Sequence, residues 1–224
     1  MGATATTFLY IGLTISAYLI GSVSNSIIFS GLIYHIDIRN YGSKNPGANN
    51  VQRILGWPMG LLVLALDILK GVVAVSLVFL LPFERETNAF VAAQIVFGTA
   101  AVIGHIFPVY HGFHGGKGVA TTCGALLAMH PFAVLLCTIV FLIVFFITKY
   151  VSVSVITAVT CFPIMVNLLF AMWLEPRETL TLKIFSIVIG VTIWLSHISN
   201  LKRLWHGKEE KFFIKAPPGR NSFL

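Results

Sequence analysis

The chain has 224 residues, 57% of them hydrophobic and only 10% charged, with a formal net charge of +7. A soluble domain of this length needs far more charge to cover its surface, so the composition excludes one and indicates an integral membrane protein. The basic excess is then expected in loops beside lipid headgroups, and no nucleic-acid partner is expected.

Apolar length measured against a bilayer core predicts spans at 7–33, 58–82, 89–110, 118–129, 131–148, 152–173 and 181–198. No Lys or Arg precedes Arg39, so the first segment lacks the basic start of a signal peptide and reads as a retained transmembrane helix. Residues 118–148 form one stretch of 31 residues without a charge, broken only by "MHP" at 129–131. Pro131 disfavours helix at the residue before it, which predicts a tight turn and seven spans; without that turn there are six.

Charge arbitrates between the two counts. With seven spans and the N-terminus outside, the inner loops and C-terminal end hold eleven Lys and Arg, from Arg39 to Arg220. The outer loops hold only Arg85 and Arg177, among four glutamates. Seven spans satisfy the rule that basic loops stay inside; six would put the basic C-terminus opposite the basic 35–57 loop. The expected fold is therefore an all-α integral membrane protein of seven transmembrane helices, some short, forming a single domain over 1–224 with a cytosolic C-terminus.

In this topology the loops 35–53, 111–118 and 149–152 and the C-terminal end emerge on one face. The loop "HGFHGGKG" fails the P-loop pattern GxxxxGK[ST], having His111 and Gly118 at its ends. Its chemistry still suits an anion: Gly115, Gly116 and Gly118 free backbone N–H groups at the mouth of a helix, beside Lys117. The alternative is a tight turn with a snorkelling lysine. The 35–53 loop adds Ser43, Asn45, Asn50 and Arg53, donors that an oxyanion-rich ligand needs; the alternative is a hydrated loop.

Asp67 and Lys70, three apart on one helix face, are expected to form a structural pair. His105, His111 and His114 cluster in sequence without a nearby cysteine or acid, so no metal is expected. Cys123, Cys137 and Cys161 read as small buried hydrophobes. His197 ends the last span, followed by Asn200, and can either contact phosphate and handle a proton or serve as an interfacial cap. Ser152 begins a span, where serine is usually a cap. The chain has neither a GxSxG elbow nor a histidine followed five residues later by aspartate.

Six motifs appear in order: "GSVSN" (21–25), "DIRNYGSKNPGANNVQR" (37–53), "DILKG" (67–71), "GHIFPVYHGFHGGKGVAT" (104–121), "YVS" (150–152) and "HISNLKRLWHGKEE" (197–210). Together they resemble the bacterial acyl-phosphate:glycerol-3-phosphate acyltransferases, the PlsY family, over about residues 10–212. The resemblance implies a seven-span enzyme of the bacterial inner membrane whose site faces the cytosol. Such an enzyme moves a fatty acyl group from acyl phosphate to glycerol 3-phosphate and gives lysophosphatidic acid.

Carried over residue by residue, the resemblance gives Ser43, Asn45 and Arg53 from the first loop, Lys117 from the glycine loop, Ser152, and His197 with Asn200. Ser43, Lys117 and His197 are the expected catalytic residues. Asn45, Asn50, Arg53, Gly115, Gly116, Gly118, Ser152 and Asn200 are the expected phosphate-binding ones. No cofactor is expected; the partners are the two substrates and the bilayer, and the chain is expected to act as a monomer. Lys44 stands where the family usually has glycine, His114 for a lysine, Ser24 for a proline, Asn49 for a threonine and Ser196 for an arginine. These departures suggest that the charge around the phosphates is redistributed.

Overall fold

The computed structural model describes residues 2–85, 87–169 and 180–212. These residues form helices and loops, with no strand among them. The helices are α1 (Ala3–Ser22), α2 (Asn25–Tyr34), α3 (Ala48–Leu55), α4 (Trp57–Ser76), α5 (Asn88–Ile106), α6 (Val119–Met129), α7 (Pro131–Thr148), α8 (Val151–Ile164), α9 (Leu180–Ser196) and α10 (Ile198–Trp205).

Among the described residues four helical segments are long and apolar enough to cross a membrane: Ala3–Ser22, Trp57–Leu80, Asn88–His111 and Pro131–Thr148. A fifth arises if α9 and α10, bent by 51° at His197, count as one span. Large apolar side chains such as Phe8, Leu32, Phe146 and Ile147 stand on the outer surface, as lipid contact requires.

The predicted break at "MHP" is present. His130 leaves the helical region, its ring accepts a hydrogen bond from Ala133 N at 3.3 Å, and Pro131 opens α7. Proline fits there because a first-turn N–H has no partner to lose. The predicted single span over 7–33 is instead two helices, broken at Val23–Ser24. The cause is a distant side chain: Lys70 Nζ donates to Val23 O at 2.7 Å, and Asn25 Nδ2 reaches Asp67 at 2.8 Å. The predicted 152–173 span begins as α8, contains Pro163 and passes into a π-helical turn at Met165–Leu169; its far end lies outside the described residues.

Two helix pairs approach at backbone distance, α1 with α5 and α4 with α6. A Cβ on Gly21 would meet Ala101 O at 2.1 Å and one on Gly104 would meet Tyr18 O at 2.2 Å. Between α4 and α6, a Cβ on Gly71 would meet Thr121 O at 2.2 Å and one on Gly124 would meet Ile68 O at 1.9 Å. Lipid offers no hydrophobic drive for helix association, so close packing through small residues supplies it. One apolar cluster, including Leu126, Val134, Phe162 and Ile189, joins α5 to α9; a second, including Leu13, Ala74 and Phe97, joins α1, α4 and α5. The expected loop over 35–53 ends at Gly47, where α3 begins, and Ile38, Val51 and Val63 seat it on α3 and α4.

Gly124→Ala should therefore cost about 1–3 kcal/mol through overpacking, seen as a fall of roughly 3–10 °C in the Tm of detergent-purified protein. Gly12→Ala, where a Cβ meets nothing within 4 Å, should leave Tm unchanged or raise it.

Candidate active site

The 35–53 loop is held in shape by its own polar side chains. Asp37 accepts from Arg39 N at 2.9 Å and pairs with its guanidinium at 2.8 Å, while Arg39 Nη1 reaches His111 O at 3.2 Å and ties this loop to the glycine loop. Asn50 is 1% exposed; it accepts from Ser43 N at 2.9 Å and donates to Tyr41 O at 3.0 Å and Ile38 O at 3.2 Å. Its polar atoms are occupied in folding the loop, so it sets the position of Ser43. Arg53, on α3, pairs with Glu210 at 3.1 Å.

The glycine loop is built differently from the expectation. The N–H groups of Gly115 and Gly116 donate to Ile106 O at 3.0 Å and His105 O at 3.1 Å, so backbone carbonyls hold them. Glycine is required there by close approach: a Cβ on Gly115 would lie 2.0 Å from His105 O, and one on Gly116 2.2 Å from His105 Nε2. Gly118 has φ +78° and launches α6, whose first N–H groups lack intrahelical partners.

Beneath the loop lies a buried polar cluster. Asp67 Oδ1 receives Asn25 at 2.8 Å and Lys70 at 3.1 Å, with His105 Nδ1 at 3.9 Å. His105 Nδ1 also lies 3.2 Å from Thr121 Oγ1. His111 sits on a turn, and His114 Nδ1 lies 2.6 Å from Gly112 O. Among the described residues no group of three or more His, Cys, Asp or Glu is placed to hold a metal ion. The three cysteines are free, and Cys137 Sγ lies 3.8 Å from Met165 Sδ.

A carboxylate that sequence reasoning left out joins the remaining site residues. Glu209 accepts from Ser152 Oγ, from Asn200 Nδ2 at 2.7 Å and from Arg203 Nε at 2.8 Å. Asn200 Oδ1 in turn accepts from Lys117 Nζ. One hydrogen-bonded chain thus connects the glycine loop, α10, the start of α8 and the segment after α10. The available signal was sign: Glu209 and Glu210 are the only acids in a tail otherwise carrying Lys202, Arg203, Lys208 and Lys211. His197 stands at the bend between α9 and α10, 4% exposed, with Nδ1 2.9 Å from Ile193 O. A carbonyl only accepts, so Nδ1 carries the hydrogen and, in the neutral ring, Nε2 is the acceptor.

All eleven expected site residues line one cavity of about 1290 Å³. The loops, Lys117, Arg53, Ser152, His197 and Asn200 form its polar wall, whereas Leu126, Val134, Phe141 and Phe162 form an apolar wall between the helices. Burial, reinforced by the positive charges of Arg203 and Arg53 and only partly opposed by Glu209, pulls the Lys117 ammonium down to about 8. Burial alone would raise the Glu209 carboxyl, but hydrogen bonds from Ser152, Asn200 and Arg203 outweigh it and hold the group below its ordinary value.

The sequence profile of the glycerol-3-phosphate acyltransferases matches residues 11–207. The chain belongs to this family. A glycerol-3-phosphate acyltransferase of Chlorobaculum tepidum is 36% identical, covering 90% of this chain and 96% of its own. One of Finegoldia magna is 41% identical, covering 89% and 94%. The crystal structure of the integral membrane glycerol 3-phosphate acyltransferase PlsY, in its glycerol 3-phosphate form, superposes with a TM-score of 0.79 at 36% identity over 91% of this chain and 96% of that one. Its lysophosphatidic acid form gives 0.75 at 34% identity, over 92% and 96%. The chain is thus a multi-pass membrane acyltransferase of the glycerol 3-phosphate class.

Lys117 gives the polar wall a pH dependence of definite sign. Its lowered value means that the cation is present below pH about 8 and is lost above it. A phosphomonoester is already a dianion in that range, its second pKa being about 6. Calorimetric affinity for a phosphomonoester should therefore fall above pH about 8, by at most about tenfold per pH unit for the one proton lost, and Lys117→Arg, which stays charged, should flatten the dependence.

Proposed function

We propose that this enzyme transfers a fatty acyl group from acyl phosphate to the 1-hydroxyl of glycerol 3-phosphate, releasing lysophosphatidic acid and phosphate. The observation that carries this reading is a single cavity joining a cationic wall to an apolar one, as a phosphorylated, acylated substrate pair requires. The solved relative in its glycerol 3-phosphate and lysophosphatidic acid forms supports the acceptor and the product.

Acyl phosphate is a mixed anhydride that brings its own activation, so no cofactor is needed and the protein's work is positioning and charge stabilisation. Lys117, Ser43 and the first N–H groups of α6 hold one phosphate. Arg53, Ser152, His197 and Asn200 hold the other, and Asn45, Asn50, Gly115, Gly116 and Gly118 set the loops that present these donors. The acyl chain lies along Leu126, Val134 and Phe162. The glycerol oxygen attacks the acyl carbon, the bond from that carbon to the phosphate oxygen breaks, and phosphate leaves.

The hydroxyl proton has two possible acceptors. Asp67, the acid in the cavity wall, is engaged by Lys70 and Asn25. An oxygen of the donor phosphate is one acceptor, since its protonation changes near pH 6. The other is His197 Nε2, which the Ile193 carbonyl leaves without a hydrogen in the neutral ring.

The chain works as one monomeric unit of seven passes in the bacterial inner membrane, N-terminus outside and site toward the cytosol. The break at His130 and the basic inner loops support that topology. Basic loops draw an anionic acceptor to that face.

Detergent-solubilised protein given acyl phosphate and glycerol 3-phosphate should form lysophosphatidic acid and free phosphate. Product without a sealed vesicle separates catalysis from transport, and absence of product overturns the reading. Lys117→Ala should fold yet lose turnover by about 100-fold or more, on the scale of one removed charge-stabilising donor. His197→Gln with acceptor binding intact but no turnover assigns the proton to His197; retained turnover assigns it to the donor phosphate. A cysteine at Met129 should react with an impermeant thiol reagent from the outer side, and protection there would undo the seven-pass topology.

A further inference from the structure

Beside the main cavity, at its polar mouth, lies a smaller pocket of about 230 Å³. Its wall carries four cations, Lys44, Arg53, Arg203 and Lys208, against one carboxylate, Glu210. Three observations single it out. Lys44 sits at φ +59°, in the left-handed region where a side chain is strained and glycine is favoured, yet the residue there is a lysine. A strained residue that supplies charge to a pocket points to a function for that charge. Second, Glu210 is seated on Arg53 at 3.1 Å, an oxyanion in the place where a phosphate oxygen would bind.

Third, the backbone carrying Glu210 is anchored on both sides. Glu209 is clamped by Ser152, Asn200 and Arg203; Phe212 N donates to Lys149 O at 2.8 Å, and its ring packs on Phe145 at 5.2 Å. Lys211 Nζ lies over the Tyr150 ring at 5.6 Å. The Glu210 side chain is 43% exposed. It can turn away through its own side-chain torsions without moving the segment that holds Ser152 and Asn200.

We propose that this pocket is an outer docking site for a phosphomonoester, the incoming glycerol 3-phosphate, and that Glu210 is an internal competitor that the phosphate displaces. A dianion outcompetes a carboxylate for four cations by charge and by its additional acceptor oxygens. The acceptor then passes over Arg53, which faces both spaces, into the main cavity. Lys44 and Lys208 recruit substrate and Glu210 sets the affinity threshold, in contrast to the positioning role of its neighbour Glu209.

This proposal rests on glycerol 3-phosphate being the acceptor, and its test reads binding apart from turnover. Calorimetry in detergent with glycerol 3-phosphate as probe should show Glu210→Gln binding three- to tenfold tighter than wild type. Lys44→Gly should bind three- to tenfold weaker with a shallower salt dependence. Glycine relieves the strain at position 44, so weaker binding by that variant cannot be blamed on misfolding. A structural brace would weaken binding in both variants, so opposite directions are the decisive result, and either variant failing its direction overturns the docking pocket. A parallel titration with inorganic phosphate distinguishes the ligand source: variants that alter phosphate affinity but leave glycerol 3-phosphate affinity unchanged make the pocket a product exit and overturn acceptor docking. Wild-type protein that neither binds nor acylates glycerol 3-phosphate would instead sink the functional reading itself.

Discussion

The buried carboxylate of Asp67 is the constraint from which the site is built. An isolated charge at this depth costs several kcal/mol, and removing one partner of a buried pair costs about 3–5 kcal/mol. Asp67 is therefore tolerable only where Asn25 and Lys70 reach it together, with His105 close by. That convergence fixes three helices, α2, α4 and α5, relative to one another. Lys70 also takes the Val23 carbonyl, which satisfies a backbone group freed by the break between α1 and α2. His105 carries the constraint outward: its ring lies under Gly116, its carbonyl holds the Gly116 N–H, and its Nδ1 faces Thr121 on α6. The position of Lys117 thus follows from a charge pair on α4.

Glu209 solves a second electrostatic problem. Burial depresses the Lys117 ammonium, and the guanidinium groups of Arg203 and Arg53 lie close enough to add to the effect. Three cations without a counter-charge would repel one another and splay the polar wall. Glu209 supplies that counter-charge from the side, and three donors hold it below the ordinary carboxylate value. It thereby keeps the cations assembled while Ser152 and Asn200 stay oriented.

The sequence disclosed what local physics determines. The apolar helices near 57–80, 88–111 and 131–148, the helix break before Pro131 and the Asp67–Lys70 pair were legible because each depends on residues a few positions apart. The need for glycine at 115 and 116 was legible too, but its cause was not. Composition suggested amides free for an anion, whereas those amides are spent on carbonyls and the glycines are there to admit the His105 ring and backbone. The break at Val23–Ser24 was hidden inside a continuous apolar run, since it depends on a lysine 47 positions away. Asn50 shows the same limit: a donor in a donor-rich loop reads as ligand-binding, yet its amide closes the loop on itself. Glu209 was missed because its partners come from α8 and α10, and only its sign against a basic tail marked it.

These features share one cause. Irregular backbone cannot face hydrocarbon, so in a chain this apolar the loops must collect at an interface and satisfy their own polar groups. Asp37, Asn50 and the carbonyls of His105 and Ile106 do this for the two loops, leaving them rigid. Rigid loops can then hold cations at fixed separation beside an apolar wall, which a flexible hydrated loop cannot. The polar groups used internally are mainly amides and carbonyls, whereas four side chains of the cavity wall, Ser152, Asn200, Arg203 and Arg53, are engaged by Glu209 or Glu210. Carboxylates of the chain itself, Glu209 on Arg203 and Glu210 on Arg53, offset part of the charge of the cationic wall. An entering phosphate has only to replace the more exposed of these, Glu210, without rebuilding the wall.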